Sequence, residues 1–137
     1  MPIAGEWFTP TGLSFNSIKA RPETTWVHFS LSDSNGIVGQ GEITDTQVDQ
    51  SIAPIVASLA NNLRGEKLTA DTDVIALNNL TIEQLETDLP LATAVSGLRC
   101  AIADALAQVM QLPLVDYLRE LYGHQGKADR KVQLYSN

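Results

Sequence analysis

The sequence predicts an α+β domain in which a three-stranded antiparallel meander packs on a helical layer, with one isolated strand at the end. Apolar and polar residues alternate from Trp26 to Ser32, which is typical of a half-buried strand. After Asp45 the apolar residues recur at three- and four-residue steps, which is typical of amphipathic helices. Because the strands come first and the helices follow, the order indicates α+β rather than alternating α/β.

The meander is built around residues 26–32, whose apolar side is expected to face the core. Asn35-Gly36 supplies residues that tolerate positive φ, as a tight hairpin requires. Residues 37–43 then form the returning strand, and their two glycines indicate a bulge or a close backbone approach. On the strand at residues 26–32, the side that is expected to face the core comprises Val27, Phe29 and Leu31.

The remaining strands carry weaker signals. An earlier strand is expected within residues 3–8 or 11–16, and the polar residues 16–23 are predicted to form a loop. Residues 132–137 again alternate and predict an isolated strand at the end of the chain.

Short amphipathic helices follow the meander. The first is predicted over residues 48–63, ending near Gly65, with Pro54 early in it or at a kink. A second is predicted to begin near residues 69–71. Thr81 opens the pattern of a capping box for a third.

The longest helix is predicted from about Ala92 to Gln111, and a shorter one follows over residues 114–121, closed by Gly123. One broad apolar face of the long helix is expected to pack on Val27, Phe29 and Leu31 of the meander. Its contributing residues include Leu98, Ile102 and Leu106.

Composition narrows the classes of function. The 137 residues are 44% apolar and carry a net charge of −7, which is typical of a single globular domain with an acidic surface. An acidic balance argues against nucleic acid and against an anionic membrane surface as partners. No signal-peptide pattern and no run of about 18 apolar residues is evident, so a soluble cytoplasmic protein is expected.

Few residues suggest chemistry that the chain could perform alone. With one cysteine, Cys100, and two distant histidines, neither a disulfide nor a His/Cys metal site is expected. Glu42 ends a strand just before a loop, where its carboxylate could face a ligand, cap the next helix or pair with a local cation. Asp104 is a charge within the best helix, and it is expected to be paired or to cap a neighbouring segment.

Four segments, in this order, resemble the mandelate racemase and muconate lactonizing enzyme branch of the enolase superfamily. Residues 33–42 are similar to its D-x-x-G-x-x-G-x-G-E hairpin, and residues 94–104 are similar to its A-x-S-G-x-x-x-A-x-x-D helix. Residues 112–118 and 132–137 are similar to the helix that follows and to the strand that opens the family's barrel.

This resemblance implies that residues 1–125 form an N-terminal capping domain, and that residues 126–137 are a linker and the first strand of a missing (β/α) barrel. It also implies that the acid/base residues and the Mg²⁺ ligands lie in that barrel, so this chain holds no catalytic or metal residue and is inactive alone. The implied chemistry of the parent is proton abstraction next to a carboxylate, in a racemase, dehydratase or cycloisomerase. The implied partners are the barrel, a small carboxylate substrate and further copies in a homo-oligomer.

In the family, the cap supplies substrate specificity through two loops that close over the barrel. The resemblance places these loops near residues 14–23 and 43–46. It implies that the specificity residues are Ser17, Lys19, Arg21, Glu42 and Thr44, with the cations suited to a second anionic group of the substrate. Two other interpretations stay open: a stand-alone acidic α+β module that binds a protein, and a small enzyme that uses Glu42 with a loop cation.

Overall fold

The computed structural model describes residues 6–45 and 52–123. Within these ranges three strands come first and five helices follow them, so the predicted α+β class is confirmed. The strands are β1 (Gly12–Arg21), β2 (Thr24–Ser32) and β3 (Val38–Asp45). The helices are α1 (Ala53–Asn61), α2 (Val74–Leu77), α3 (Ile82–Thr87), α4 (Leu89–Val109) and α5 (Leu114–Tyr122).

The sheet is an antiparallel meander in the order β1-β2-β3. Ile18 of β1 lies opposite Trp26 of β2, which in turn lies opposite Thr44 of β3. The register shifts between Lys19 and Arg21, just before the turn at residues 22–23.

The prediction of a loop over residues 16–23 is wrong, because residues 16–21 belong to β1. Ser14 to Arg21 are all exposed, so this stretch lacks the alternation of buried apolar residues that marks a half-buried strand. It is held in strand form by its ladder with β2 instead. The same finding removes the loop expected over residues 14–23, and β3 likewise runs through residues 43–45 of the second expected loop. Thr46 lies outside the described residues.

The core lies between the sheet and α4, as predicted. α4 packs mainly on β3 and, to a smaller extent, on β2. The six residues predicted to meet there are all buried in one cluster, and they are Val27, Phe29, Leu31, Leu98, Ile102 and Leu106. Further members come from α1 and from Phe8, whose backbone bridges to Leu68.

β3 and α4 approach each other at backbone distance. A Cβ added to Gly39 would collide with the carbonyl oxygen of Ala101, and one added to Gly41 would lie 2.6 Å from the carbonyl oxygen of Gly97. Gly97 is equally constrained, because its added Cβ would lie 2.6 Å from Ile43 Cγ2. Of the two alternatives predicted for the strand glycines, the close backbone approach is the one observed.

The helix ends follow local side-chain chemistry. Thr81 and Gln84 form the predicted capping box, and Pro54 stands in the first turn of α1. α5 ends at Gly123, which has φ +62°. α2 begins at Val74 rather than near residues 69–71, because Asp73 accepts the N–H of Ile75 and caps the helix there.

Two other boundaries differ from prediction. Within the described residues α1 begins at Ala53, so the part of its prediction at residues 48–51 lies outside the description. α4 begins at Leu89, since Asp88 caps it by accepting the N–H of Leu91. The predicted strand at residues 132–137 also lies outside the described residues.

The 21 residues of α4 are long and apolar enough to cross a membrane, judged by length and composition only. Core helices of soluble proteins pass the same test. Here the side chains of Leu98, Ala101 and Ala105 are completely buried within the domain.

Candidate functional site

One end of the sheet carries all five predicted specificity residues. This end is formed by the last residues of β1, the turn at residues 22–23, the start of β2 and the end of β3. It lies beside the N-terminal part of α4, because β3 runs along α4 in the opposite direction, with Gly41 at Gly97 and Gly39 at Ala101. We call this region the hairpin end.

The five residues do not form one cluster, because they lie on opposite faces of the sheet. Ser17 is paired with the buried Val27, and it therefore lies on the face that carries the helices. Lys19 is in register with Thr25 and Asp45 on that same face.

The other three residues lie on the outer face. Thr44 and Glu42 are in register with Trp26 and His28, which alternate with the buried residues of β2. Arg21 joins this face because the register shift before it pairs it with Thr24. The outer face therefore brings a cation, a hydroxyl and a carboxylate to one end of the sheet, next to the half-exposed ring of Trp26.

Glu42 faces a neighbour on this surface. Its Oε2 lies 4.0 Å from Nδ1 of His28, directly across the β2–β3 ladder, and both side chains are about half exposed. Glu42 was expected to face a ligand, cap the next helix or pair with a local cation, and the neighbour that the structure brings to it is the imidazole of His28. A different carboxylate binds the start of α1, the helix that follows β3.

That carboxylate is Asp45, which sequence reasoning did not single out. It is the last residue of β3, it is buried, and its Oδ2 accepts the N–H of Ile52 at 2.8 Å. Ile52 is the N-cap residue of α1. Asp45 thereby ties the end of β3 to the start of α1. The sequence signal was present but weak, because Asp45 continues the alternation of β3 at a position where an apolar residue is expected.

A second feature is an apolar groove between α4 and α5, with a volume of about 490 Å³. Leu114, Leu118 and Tyr122 of α5 recur at four-residue intervals, line one side of it and are partly exposed. Cys100 and Ala103 of α4 lie among the lining residues on the opposite side.

The polar end of this groove is an ion pair. Arg99 Nε of α4 lies 2.9 Å from Asp73 Oδ2, while the other oxygen of Asp73 caps α2. Tyr117 lines the groove nearby, and its burial raises the pKa of its hydroxyl. The negative charges of Tyr122 and Asp71 raise the pKa of Tyr117 further. We call this region the α4–α5 groove.

Across residues 6–45 and 52–123, no group of three or more His, Cys, Asp or Glu side chains is arranged to hold a metal ion. Asp104, expected to be paired or to act as a cap, accepts the N–H of Gln40 and the Nε2 of Gln108.

Comparison with known proteins gives one match. The family model described as the N-terminal domain of mandelate racemase / muconate lactonizing enzyme matches residues 5–118. No curated protein and no solved structure matches the chain. The matched range contains the whole meander and all five helices except the last turn of α5.

Proposed function

The chain belongs to the family of N-terminal domains of mandelate racemase and muconate lactonizing enzyme, and we propose from this that it caps a (β/α) barrel and helps to select the substrate bound there. The observation that carries the proposal is the family match over residues 5–118, together with the polar hairpin end. Under this proposal residues 126–137 are the linker and first strand of the barrel.

The hairpin end is the part of the domain that we assign to substrate selection. Its outer face presents Arg21 from β1 and Thr44 from β3, on either side of β2, which carries the aromatic ring of Trp26. A guanidinium group can hold a carboxylate through two parallel hydrogen bonds, and a hydroxyl can donate one more. This combination suits a substrate with an anionic or strongly polar group distant from its reacting carbon.

The reaction itself is assigned to the barrel. We propose that the parent enzyme removes the proton next to a carboxylate, as a racemase, dehydratase or cycloisomerase does. Mg²⁺, bound by barrel residues, would stabilise the enolate charge. The contribution of this chain is to contact the distal part of the substrate and to exclude water when the cap is closed.

The α4–α5 groove supports a docking role. The chain leaves α5 at Gly123, directly after the groove residue Tyr122, so whatever follows in sequence begins beside this apolar surface. Tyr122, which lines the groove, is 73% exposed. Burying such a patch is a favourable contribution to a domain interface. We therefore propose the groove as the part of the cap that meets the barrel.

The capping role is tested by comparing the 137-residue chain with the same chain joined to a barrel domain of this family. We expect the chain alone to give no stoichiometric Mg²⁺ binding in calorimetry and no exchange of the α-proton of a panel of carboxylates in deuterated water. The joined protein is expected to do both. A chain that catalyses Mg²⁺-dependent exchange alone would contradict the proposal.

Selection by the hairpin end is tested separately in the joined protein. Arg21→Ala is expected to raise KM for substrates with a second anionic group and to leave KM for monocarboxylates unchanged. Lys67→Ala is the matched control. Lys67 is also a cation beside a tryptophan, with its Nζ 4.5 Å from the centroid of the Trp7 ring, but it belongs to the loop after α1 and not to the hairpin end. Equal effects of the two variants on all substrates would remove Arg21 from the proposed site. The competing interpretation, a stand-alone protein-binding module, predicts that joining the barrel adds no activity.

A further inference from the structure

The two edges of the sheet are protected to different degrees. At the β3 edge, Asp104 of α4 accepts the N–H of Gln40 at 2.9 Å, and Gln108 Nε2 donates to the carbonyl oxygen of Val38 at 2.7 Å. These contacts use backbone groups that another strand would need. α4 therefore covers the β3 edge at residues 38–40.

No described residue covers the β1 edge in this way. Within residues 6–45 and 52–123, the backbone of β1 forms no hydrogen bond beyond its ladder with β2. In an antiparallel sheet, alternate residues of an edge strand direct their N–H and C=O groups away from the sheet. β1, a ten-residue strand, therefore has outward-facing backbone groups that another strand could bind.

The usual protections of an edge strand are gathered at one end of β1. Lys19, Arg21 and the register shift between them all discourage pairing there. Residues 12–18, in contrast, contain no charged side chain and no proline. They include Phe15 and Ile18, whose side chains are 39% and 45% exposed.

We propose that β1 pairs with β1 of a second copy of this chain, antiparallel over residues 12–18, around a two-fold axis at Phe15. This arrangement joins the two three-stranded sheets into one continuous sheet. It does not depend on the capping role. An identical segment in antiparallel orientation is its own complement, so no other partner sequence is required.

Charge favours this register. Each chain carries a net charge of −7, yet no charged side chain lies opposite another within the paired segment. Lys19 and Arg21 of each copy extend past Gly12 of the other copy, which keeps the two pairs of cations at opposite ends of the interface. The two Phe15 rings come together on the helix-bearing face, where Phe15 already contacts Phe29 with ring centroids 6.1 Å apart.

Sedimentation velocity of the 137-residue chain tests the proposal. We expect a dimer for the natural sequence and a monomer for Phe15→Lys, because two like charges would then meet at the axis. Leu89→Lys is the matched control: it places the same charge on another exposed apolar residue, at the start of α4, and is expected to remain dimeric. Asn16→Lys, at an exposed position, is expected to weaken the dimer, and it replaces Phe15→Lys if that variant does not melt cooperatively.

The register has its own test. In a Cys100→Ser background, Phe15→Cys is expected to form a covalent dimer under mild oxidation, while Lys19→Cys is expected to stay unlinked. A monomeric natural chain would overturn the proposal, since the edge would then be free or reserved for another partner. A dimer that survives the lysine substitutions in β1, or one that is lost in Leu89→Lys, would overturn it as well. Linking through Lys19→Cys alone would overturn the register.

Discussion

The backbone N–H of Gln40 in β3 donates to the carboxylate of Asp104 in α4 at 2.9 Å, across 64 residues of sequence. This bond joins the two longest segments by which the sequence resembles its family, residues 33–42 and residues 94–104. The glycines of the same segments meet beside it, with Gly41 against Gly97. The two motifs therefore form one structural seam between sheet and helix.

Removal of the Asp104 carboxylate is expected to destabilise the domain. Asp104→Ala leaves the N–H of Gln40 and the amide of Gln108 without this acceptor, and the cost is expected to be about 1 kcal/mol because water reaches the site. Urea denaturation followed by circular dichroism measures it. Asp104→Asn keeps one acceptor oxygen and is expected to lose less. Glu86→Ala, on the exposed surface of α3, is expected to be neutral, and an equal loss in all three variants would contradict this account.

A methyl group at position 41 is expected to force β3 and α4 apart. The Cβ of Gly41→Ala would lie 2.6 Å from a backbone oxygen of α4 and 2.7 Å from Phe29 Cζ, neither of which can move without shifting the core. We expect a loss of about 1–3 kcal/mol in the free energy of unfolding. Gln40→Ala, one residue away and exposed, is the control, and its loss is expected to be smaller. A Gly41→Ala variant as stable as the natural chain would show that the seam is looser than described.

Much of the fold follows from local signals in the sequence. The alternation of Val27, Phe29 and Leu31, the capping box at Thr81 and the positive-φ Gly123 each predict a feature that the structure contains. These signals depend on neighbouring residues or on burial with a fixed period, so they can be recognised without tertiary information.

The hairpin end could not be predicted in the same way. The polar, exposed residues of β1 have no buried face, so only their pairing with β2 makes them a strand. The faces of Ser17 and Arg21 then depend on this pairing and on the register shift, neither of which leaves a periodic signal. The α4–α5 groove depends on how α5 packs against α4, and that too is a tertiary property.

The ion pair of the α4–α5 groove allows the two roles of Asp73 to be separated. Arg99→Ala is expected to cost less than about 1 kcal/mol, because Arg99 is 52% exposed and water screens the pair. Asp73→Ala is expected to cost more, about 1–2 kcal/mol, because it also removes the N-cap of α2. Thermal denaturation in low and high salt measures both. Asp73→Asn keeps the cap without the charge, and we expect it to resemble Arg99→Ala; a loss as large as that of Asp73→Ala would assign the effect to charge.

Alkaline pH is expected to weaken the domain through Tyr117. Burial raises the pKa of Tyr117 in the folded state, whereas the unfolded chain titrates near the ordinary value of 10.0. Above that pH the unfolded state loses the Tyr117 proton before the folded state does. The contribution of Tyr117 to the free energy of unfolding is therefore fully present below about pH 10, and it decreases as the pH rises through the folded-state pKa.

Melting temperatures between about pH 8 and pH 11 test this expectation. Tyr117→Phe keeps the ring and removes the hydroxyl, so its melting temperature is expected to fall less steeply above pH 10 than that of the natural chain. Tyr122→Phe removes only the smaller contribution of the Tyr122 charge to the raised pKa of Tyr117, so it is expected to change the slope less than Tyr117→Phe does. Identical slopes in all three proteins would assign the alkaline decline to other groups.

The seam between β3 and α4 and the hairpin end differ in how much a substitution there would disturb the packing of the domain. α4 is bound to β3 at backbone distance, where even one methyl group is excluded, while β1 projects from Ser14 to Arg21 without contributing a buried side chain. Side chains from Ser14 to Arg21 can therefore be replaced without removing a buried contact from the core of the domain. A designer who wished to change the polar surface of this domain would begin with these residues of β1 and leave the contact of β3 with α4 untouched.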